Sequence, residues 1–302
     1  MGVIVGLEGG GTKTGCAVLD TEGNLLGYAE GGPANLNFVS EAEQRNSFTQ
    51  AIEGALEGID EPVLALGHTV AGTVANWEWV LQRLGNPLAF PVEEARMAFV
   101  STGLDRAHGL TVVAGTGALI CAFVGDQLAR CVSGWGALLG DEGSAYDVAL
   151  RAIRSAVRAW DGRDPHTKLI QAVQTYFSVD DLRTLIPLFY QQGVPRHRIA
   201  GFAPSVVATA KRRDETARRI LTECGNLIAE DALACARPVF PTDRALTVAL
   251  TGGMFRERSP YRAEFQTRFK EEYPKARFRT PQIQPAVAVA RIALHKWRKR
   301  EM

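Results

Sequence analysis

Runs of apolar residues separated by small and polar turn residues open the chain. Residues 3–7 are apolar and rich in β-branched side chains, three glycines follow Glu8, and a second apolar run begins after Thr14. This pattern predicts a strand, a glycine turn and a second strand, because the glycines lead into another apolar run and not into the first turn of a helix. A third strand is predicted at residues 24–30, after the Glu22-Gly23 turn.

Helical and strand-like segments then alternate. Ser40, with Glu43 three residues later, has the spacing of a capping box, and an amphipathic helix is predicted from there to about residue 59. Residues 62–67 are predicted as a strand, 73–84 as a helix and 97–101 as a further strand. Alternation of this kind predicts an α/β layered domain.

The three-strand opening is repeated in the second half of the chain. Strands are predicted at residues 110–114, 118–124 and 128–132, and the first two flank the turn Gly115-Thr116-Gly117. Most of residues 143–240 have the three- and four-residue spacing of apolar positions that is typical of core-facing helices. A strand before Thr251-Gly252-Gly253 and a last helix over residues 285–300 complete a second α/β domain.

Composition excludes several classes of function. The 302 residues carry 34 basic and 33 acidic side chains, a net charge of +1, so no overall field selects nucleic acid or an anionic membrane. No apolar run reaches the roughly 18–20 residues of a spanning helix, and the first residues lack the pattern of a signal peptide. The five cysteines lie in apolar segments without a C-x-x-C pair, which predicts buried, reduced thiols in a cytoplasmic protein.

The glycine turns are the candidate chemistry. Residues without side chains allow backbone N–H groups to converge on an anion, while Thr12 and Thr14 add hydroxyl groups and Lys13 adds a positive charge. The alternative is a hairpin whose glycines only supply positive φ angles. A second strand–turn–strand unit at Gly115-Thr116-Gly117 and a third small-residue turn at residues 251–253 favour a site in which two loops hold phosphates and the third turn holds a nucleoside.

The order of these motifs, together with the block Gly140-Asp141-Glu142-Gly143-Ser144, resembles the N-acetylglucosamine kinase and BadF/BadG/BcrA/BcrD-type ATPase family of the sugar kinase, actin and Hsp70 superfamily. The resemblance spans nearly the whole chain. It implies an α/β fold of two ribonuclease H-like, actin-type ATPase lobes with a cleft between them. The lobes would be residues 1–109 and residues 110–285, the second with a helical insertion, and the terminal helix 286–302 would return to the first lobe.

The resemblance also implies a set of site residues, with ATP and Mg²⁺ as cofactors. Glu8 would lie near Mg²⁺, unless it is only a turn carboxylate. Asp141 would face the sugar, unless it is an N-cap that accepts from the N–H of Gly143 or Ser144. Asn35 and Glu142 would also lie at the sugar, although Asn35 could equally be a turn-forming residue. The remaining implied residues would bind the nucleotide: Gly10, Gly11, Thr12 and Lys13 at the β- and γ-phosphates, Gly115, Thr116 and Gly117 opposite them, and Gly252 and Gly253 in the third turn.

One segment departs from the family pattern. In relatives, an Asp that follows the strand equivalent to residues 97–101 is the catalytic base, whereas here Gly103 stands at that point and Asp105 is the nearest carboxylate. Asp105 is therefore the predicted base. The predicted function is ATP-dependent phosphorylation of a hydroxyl group on N-acetylglucosamine or glucosamine. A homodimer is possible, and the sequence leaves the oligomeric state open. The alternative function is a nucleotide-binding or ATP-hydrolysing regulatory protein that has lost efficient transfer.

Overall fold

The computed structural model describes residues 2–11, 13–36, 39–70 and 77–301. The strands in these residues are β1 (Val3–Gly9), β2 (Thr14–Leu19), β3 (Leu25–Gly31), β4 (Val63–Val70), β5 (Leu88–Pro91), β6 (Gly109–Ala114), β7 (Ala118–Val124), β8 (Gln127–Ser133), β9 (Thr247–Thr251) and β10 (Arg277–Arg279). The helices are α1 (Glu41–Leu56), α2 (Glu78–Arg83), α3 (Glu94–Val100), α4 (Ala145–Trp160), α5 (Leu169–Phe177), α6 (Leu185–Tyr190), α7 (Arg196–Ala200), α8 (Ala203–Lys211), α9 (Glu215–Ala236), α10 (Pro260–Glu272) and α11 (Pro285–Glu301). Single 3-10 turns lie at Leu182–Thr184 and Gly253–Phe255.

The chain divides into two compact units. The first runs to Ala107 and takes up the chain again from Pro281, so that it contains β1 to β5, α1 to α3 and the last helix, α11; the second is His108–Thr280. Within the described residues, no helix is both long and apolar enough to cross a lipid bilayer.

The two sheets have the same topology. The order in the first unit is β3-β2-β1-β4-β5 and in the second β8-β7-β6-β9-β10. In both sheets the first three strands in the chain are antiparallel and the last two are parallel to the central strand. The predicted α/β class and the predicted repeat of the three-strand opening are therefore confirmed.

Apolar residues on both faces of the first sheet explain its layers. Alternate residues of β1 point to opposite faces, so that Val5 packs with Phe48 of α1 while Ile4 packs with Ala293 and Leu294 of α11. Helix α1 begins with the predicted capping box, in which Ser40 accepts from the N–H of Glu43 and the Glu43 carboxylate accepts from Ser40. The sheet is thus covered by one helix from the middle of this unit and by one from the end of the chain.

The second unit has a larger core, built on the long helix α9. Apolar residues of α9, among them Ile220, Ile228 and Leu233, pack in one cluster with the central strands of the sheet. The aromatic residues of α10, Tyr261, Phe265 and Phe269, are fully buried in the same cluster. Helices α4 and α9 confirm the helical spacing of apolar residues that the sequence predicts within residues 143–240, whereas α10 lies outside that range.

The strand predicted at residues 97–101 is wrong. These residues belong to α3 and to the turn after it, while the strand that precedes them is β5. A short apolar run such as Met97 to Val100 fits either a strand or a buried helix, and here Ala95, Ala98 and Phe99 are buried at helical spacing. The helix predicted at residues 73–84 is described only from residue 77, where α2 lies.

The prediction of five reduced thiols is also wrong in part. Cys16, Cys224 and Cys235 are free and buried, as predicted. Cys121 of β7 and Cys131 of β8 instead form a disulfide. They are direct partners in the antiparallel register, with their Cα atoms 4.3 Å apart. This pairing depends on strand register, which the spacing of cysteines in the sequence does not reveal.

Candidate functional site

The first glycine turn is a tight connection between β1 and β2. Gly9 and Thr14 are the last paired residues, and the N–H of Gly10 donates to the carbonyl of Lys13 over 2.8 Å. The ammonium of Lys13 pairs with Glu30 of β3 and remains about half exposed. Gly11 is exposed at the tip, and Thr12 lies outside the described residues. The turn thus presents backbone and one cation to solvent, as a phosphate loop requires.

Asn35 is held beside this turn. The N–H of Ala34 donates to the carbonyl of Gly10 over 3.0 Å, which fastens the loop containing Asn35 to the glycine turn. Gln44 of α1 donates to the carbonyl of Ala34, and Asn35 itself is only 8% exposed. Its position is therefore set by the same contacts that set the turn.

Glu8 is the last residue but one of the central strand β1 and lies next to the glycine turn. Its carboxylate lies against Gly10, where a Cβ atom would stand 3.3 Å from Glu8 Oε1. Burial first, and then the charge of Glu94, raise the pKa of Glu8 from 4.5 to about 7 against the lowering influence of Lys13. A carboxylate with a raised pKa becomes fully ionised when a cation binds beside it.

Glu94 is a functional candidate that sequence reasoning missed. It is the first residue of α3, follows the N-cap Glu93 and lies three residues after the end of β5. Strands β1, β4 and β5 are parallel, so that their carboxyl ends share one edge of the sheet and Glu94 follows the edge that carries Glu8. Burial raises the pKa of Glu94, although its side chain keeps access to solvent. Two oxygen donors at one edge suit Mg²⁺, which proteins bind through one or two carboxylates together with phosphates.

Asp105, the predicted base, lies in a different environment. Its side chain is 89% exposed and stands 3.6 Å from Arg291 of α11. It follows α3, whereas Glu94 begins this helix. The role of Asp105 stays a prediction that its exposure does not favour.

In the second unit, the Gly115-Thr116-Gly117 turn meets two other motifs. The carbonyl of Gly115 accepts from the N–H of Ala145 at the start of α4, over 2.8 Å. Gly252 lies so close to the end of β6 that a Cβ atom would stand 2.3 Å from the carbonyl oxygen of Ala114. A Cβ atom placed on Gly115 or on Gly253 would have no other atom within 4 Å. The predicted phosphate turn and the Thr251-Gly252-Gly253 turn therefore meet within this unit, with open space beside them.

Asp141 is buried underneath the same turn. It is 3% exposed, has a φ of 61°, and lies so close to Gly117 that a Cβ there would stand 2.7 Å from its Oδ2. Oδ2 accepts from the guanidinium of Arg196, whereas the buried Oδ1 has no hydrogen-bond partner in the described part of the chain. The alternative that Asp141 caps the helix is wrong, because Ser144 is the N-cap of α4 and accepts from the N–H of Asp147.

Gly143 is held by hydrogen bonds to both of its backbone polar groups. Its N–H donates to Asp147 over 3.0 Å, and its carbonyl accepts from the hydroxyl of the fully buried Tyr261 over 2.8 Å. Arg151 in turn donates to Asp147 over 2.9 Å. These contacts hold the loop that carries Asp141 in place, and nothing in the local sequence pattern indicates the contribution of Tyr261.

Glu142 does not share the environment of Asp141. It is exposed, and its charge acts on Asp231 of α9, whose pKa rises to about 6 through burial first and then through Glu142 and Glu230. The structure thus brings Asp141 and the Gly115-Thr116-Gly117 turn together and leaves Glu142 exposed.

Comparison with known proteins gives a consistent set of relatives. The model of the BadF/BadG/BcrA/BcrD ATPase family matches residues 5–293. The N-acetylmuramic acid/N-acetylglucosamine kinase of Clostridium acetobutylicum is 23% identical over 286 residues, which cover 92% of this chain and 93% of that protein. The glucosamine kinase of Vibrio cholerae is 29% identical over 209 residues, 65% of this chain and 70% of its own.

A solved structure also resembles the chain along nearly its whole length. The structure of a candidate N-acetylglucosamine kinase from Chromobacterium violaceum is 26% identical, with a TM-score of 0.72 over 97% of this chain and 99% of that one. The similarity extends over both units described above.

Proposed function

The chain belongs to the BadF/BadG/BcrA/BcrD ATPase family, and we propose that it is an ATP-dependent kinase of an amino sugar, N-acetylglucosamine or glucosamine. The burial of Asp141 beneath Gly117, with one carboxylate oxygen unpaired in the described residues, carries the proposal. An unpaired buried carboxylate oxygen is costly, and a sugar hydroxyl is a donor that could satisfy it.

The glycine turns would bind the nucleotide. Gly10, Gly11 and Lys13 in the first unit, and Gly115, Thr116 and Gly117 in the second, would contact phosphates; Thr251 to Gly253 would face the nucleoside. The open space next to Gly115 and Gly253 supports this assignment, since an approaching ligand would meet no Cβ atom there. Asn35, held beside the first turn, would orient a sugar hydroxyl.

Glu8 would hold Mg²⁺, and Glu94 would take up the proton. When bound, the ion neutralises charge on the phosphate oxygens. Glu8 would supply an oxygen ligand, directly or through water. Glu94, whose pKa is raised by burial and which keeps solvent access, would accept the proton of the attacking hydroxyl, since a raised pKa makes a carboxylate a stronger base. We propose Glu94 for this role in preference to Asp105.

The relatives support the substrate class. Their names include N-acetylmuramic acid, N-acetylglucosamine and glucosamine, all of them amino sugars. A cytoplasmic location and a homodimer remain predictions, and size-exclusion chromatography with light scattering would determine the oligomeric state.

The test is a screen for ADP release with Mg·ATP over hexoses, hexosamines and N-acetylhexosamines, with the mass of each product determined. The proposal expects sugar-dependent ADP and a phosphorylated amino sugar, with Asp141→Asn raising KM for the sugar at least tenfold, on the basis of a lost hydrogen bond to a charged group. Nucleotide binding without transfer to any sugar would instead support the regulatory alternative.

A further inference from the structure

A recess lies next to Asp141 on the second unit. It has a volume of about 490 Å³ and is entered from solvent. Its walls are formed by the loop of residues 135–139, by Tyr146 at the start of α4, by α7 and by Val194, which precedes α7. The side chains that line it include Trp135, Leu139, Tyr146, Val194, Arg196 and Ile199.

The walls of this recess are apolar and face solvent in the structure. Trp135 is 74% exposed, Leu138 94% and Leu139 76%. Three large exposed apolar side chains within five residues form a surface that a ligand with an apolar part would cover favourably. A substituent without apolar surface would gain no binding free energy from the hydrophobic effect at these walls.

Arg196 supplies the polar part of the recess. One of its N–H groups donates to Asp141 Oδ2, and its planar group lies 5.6 Å from the ring centre of Tyr146. The side chain of Arg196 is 37% exposed and lines the recess, so that part of its guanidinium is open to a ligand. Arginine has donors only. The recess therefore combines apolar walls with a partly exposed guanidinium whose N–H groups can donate to an acceptor on a ligand.

An N-acyl group has the complementary chemistry. Its carbonyl oxygen is an acceptor and its alkyl part is apolar, whereas the ammonium of a free amino sugar offers donors only and is costly to desolvate. We propose that this recess receives the N-acyl substituent of the sugar and that Arg196 determines the preference for an N-acyl sugar over the free amine. This inference rests on the proposed function. The volume leaves room for acyl groups longer than acetyl.

The experiment compares kcat/KM for N-acetyl-, N-propanoyl- and N-butanoylglucosamine and for glucosamine. For the unmodified protein, we expect the acylated sugars to exceed glucosamine by at least tenfold, as expected for a hydrogen bond to a charged group. The longer acyl groups should be used at least as well as acetyl. Preference for glucosamine, or a tenfold loss on going from acetyl to propanoyl, would overturn the proposal.

Substitution then isolates the role of Arg196. In Arg196→Met, the ratio of kcat/KM for N-acetylglucosamine to that for glucosamine should fall by about 10- to 100-fold. An equal loss for both sugars would mean that Arg196 only supports Asp141, and it would refute the specificity role. Arg198→Met is the matched control, because Arg198 lies on the same helix, is exposed and is not part of the recess wall; its ratio should not change.

A second variant keeps the test independent of the Arg196–Asp141 pair. Val194→Phe narrows the recess from a half-buried position before α7 and should reduce use of N-butanoylglucosamine by more than that of N-acetylglucosamine. An unchanged order of the acyl sugars in a folded Val194→Phe protein would count against the recess as the acyl site. If no sugar is phosphorylated by the unmodified protein, the proposed kinase function itself fails, which is a different outcome from equal use of both sugars.

Discussion

The unusual environment of Glu8 leads to a prediction about stability that needs no substrate. Glu8→Gln removes a carboxyl whose pKa is raised from 4.5 to about 7, first by burial and then by Glu94. Because the folded state disfavours the ionised form, the destabilisation grows as the pH rises from about 4.5, where the unfolded chain ionises, and is complete above about pH 7. Below about pH 4.5 the carboxyl is neutral in both the folded and unfolded states, and this penalty is absent.

The magnitude follows from the difference in pKa. A rise of this size corresponds to about 3 kcal/mol between the ionised and neutral forms, and the partial exposure of Glu8 reduces it to about 1–2 kcal/mol. Glu8→Gln should therefore be more stable than the unmodified protein at pH 8, and the difference should decline as the pH falls from 7 to 4.5. The cost of the buried carboxylate is consistent with a site that becomes favourable only with a bound cation.

Thermal unfolding followed by circular dichroism, in EDTA and without nucleotide, measures this effect. A gain of 1 kcal/mol should raise Tm by about 2–4 °C. Glu57→Gln, at an exposed glutamate just after α1, is the control and should leave Tm unchanged across the same pH range. If Glu8→Gln gives no gain at pH 8, or the same gain at pH 4 and pH 8, the assigned environment of Glu8 is wrong.

Three further changes test other parts of the account. Tyr261→Phe leaves the carbonyl of Gly143 without its donor and should cost about 1–3 kcal/mol in the free energy of unfolding, measured in urea, and raise KM for the sugar; an unchanged KM would separate this contact from the sugar site. Gly115→Val should weaken ATP binding in calorimetry at least tenfold, because its side chain would fill the open space beside the turn; equal affinity would remove this turn from the nucleotide site. Glu94→Gln should lower the pKa of Glu8, so that Glu8→Gln gains less stability at pH 8 in that background; an equal gain would show that the two carboxylates do not interact.

Much of the fold follows from local patterns in the sequence. The two strand–turn–strand units, the capping box at Ser40 and the apolar stripe of α9 each involve residues near one another in the chain, and the structure has all of them. The strand at residues 97–101 was wrong because four apolar residues fit two periodicities, while the actual strand β5 has only four residues and ends with a proline.

The contacts that define the candidate site are mostly long-range. Arg196 is 55 residues from Asp141, and Tyr261 is 118 residues from Gly143. No spacing rule connects such pairs, and each pair depends on how α7 or α10 packs against the loop before α4. The glycine motifs could therefore be found from the sequence, whereas the residues that orient them required the structure.

Single-turnover phosphoryl transfer tests the central claim most directly. With the protein in excess over Mg·ATP and with saturating N-acetylglucosamine, the unmodified protein should form a sugar phosphate that is detectable by mass spectrometry. Glu94→Gln should slow its formation by about 10²–10⁴-fold, the usual contribution of a general base, while calorimetry should find sugar binding unchanged. Asp105→Asn should transfer at the rate of the unmodified protein. The account is contradicted if the unmodified protein forms no sugar phosphate, or if Asp105→Asn loses transfer and Glu94→Gln retains it.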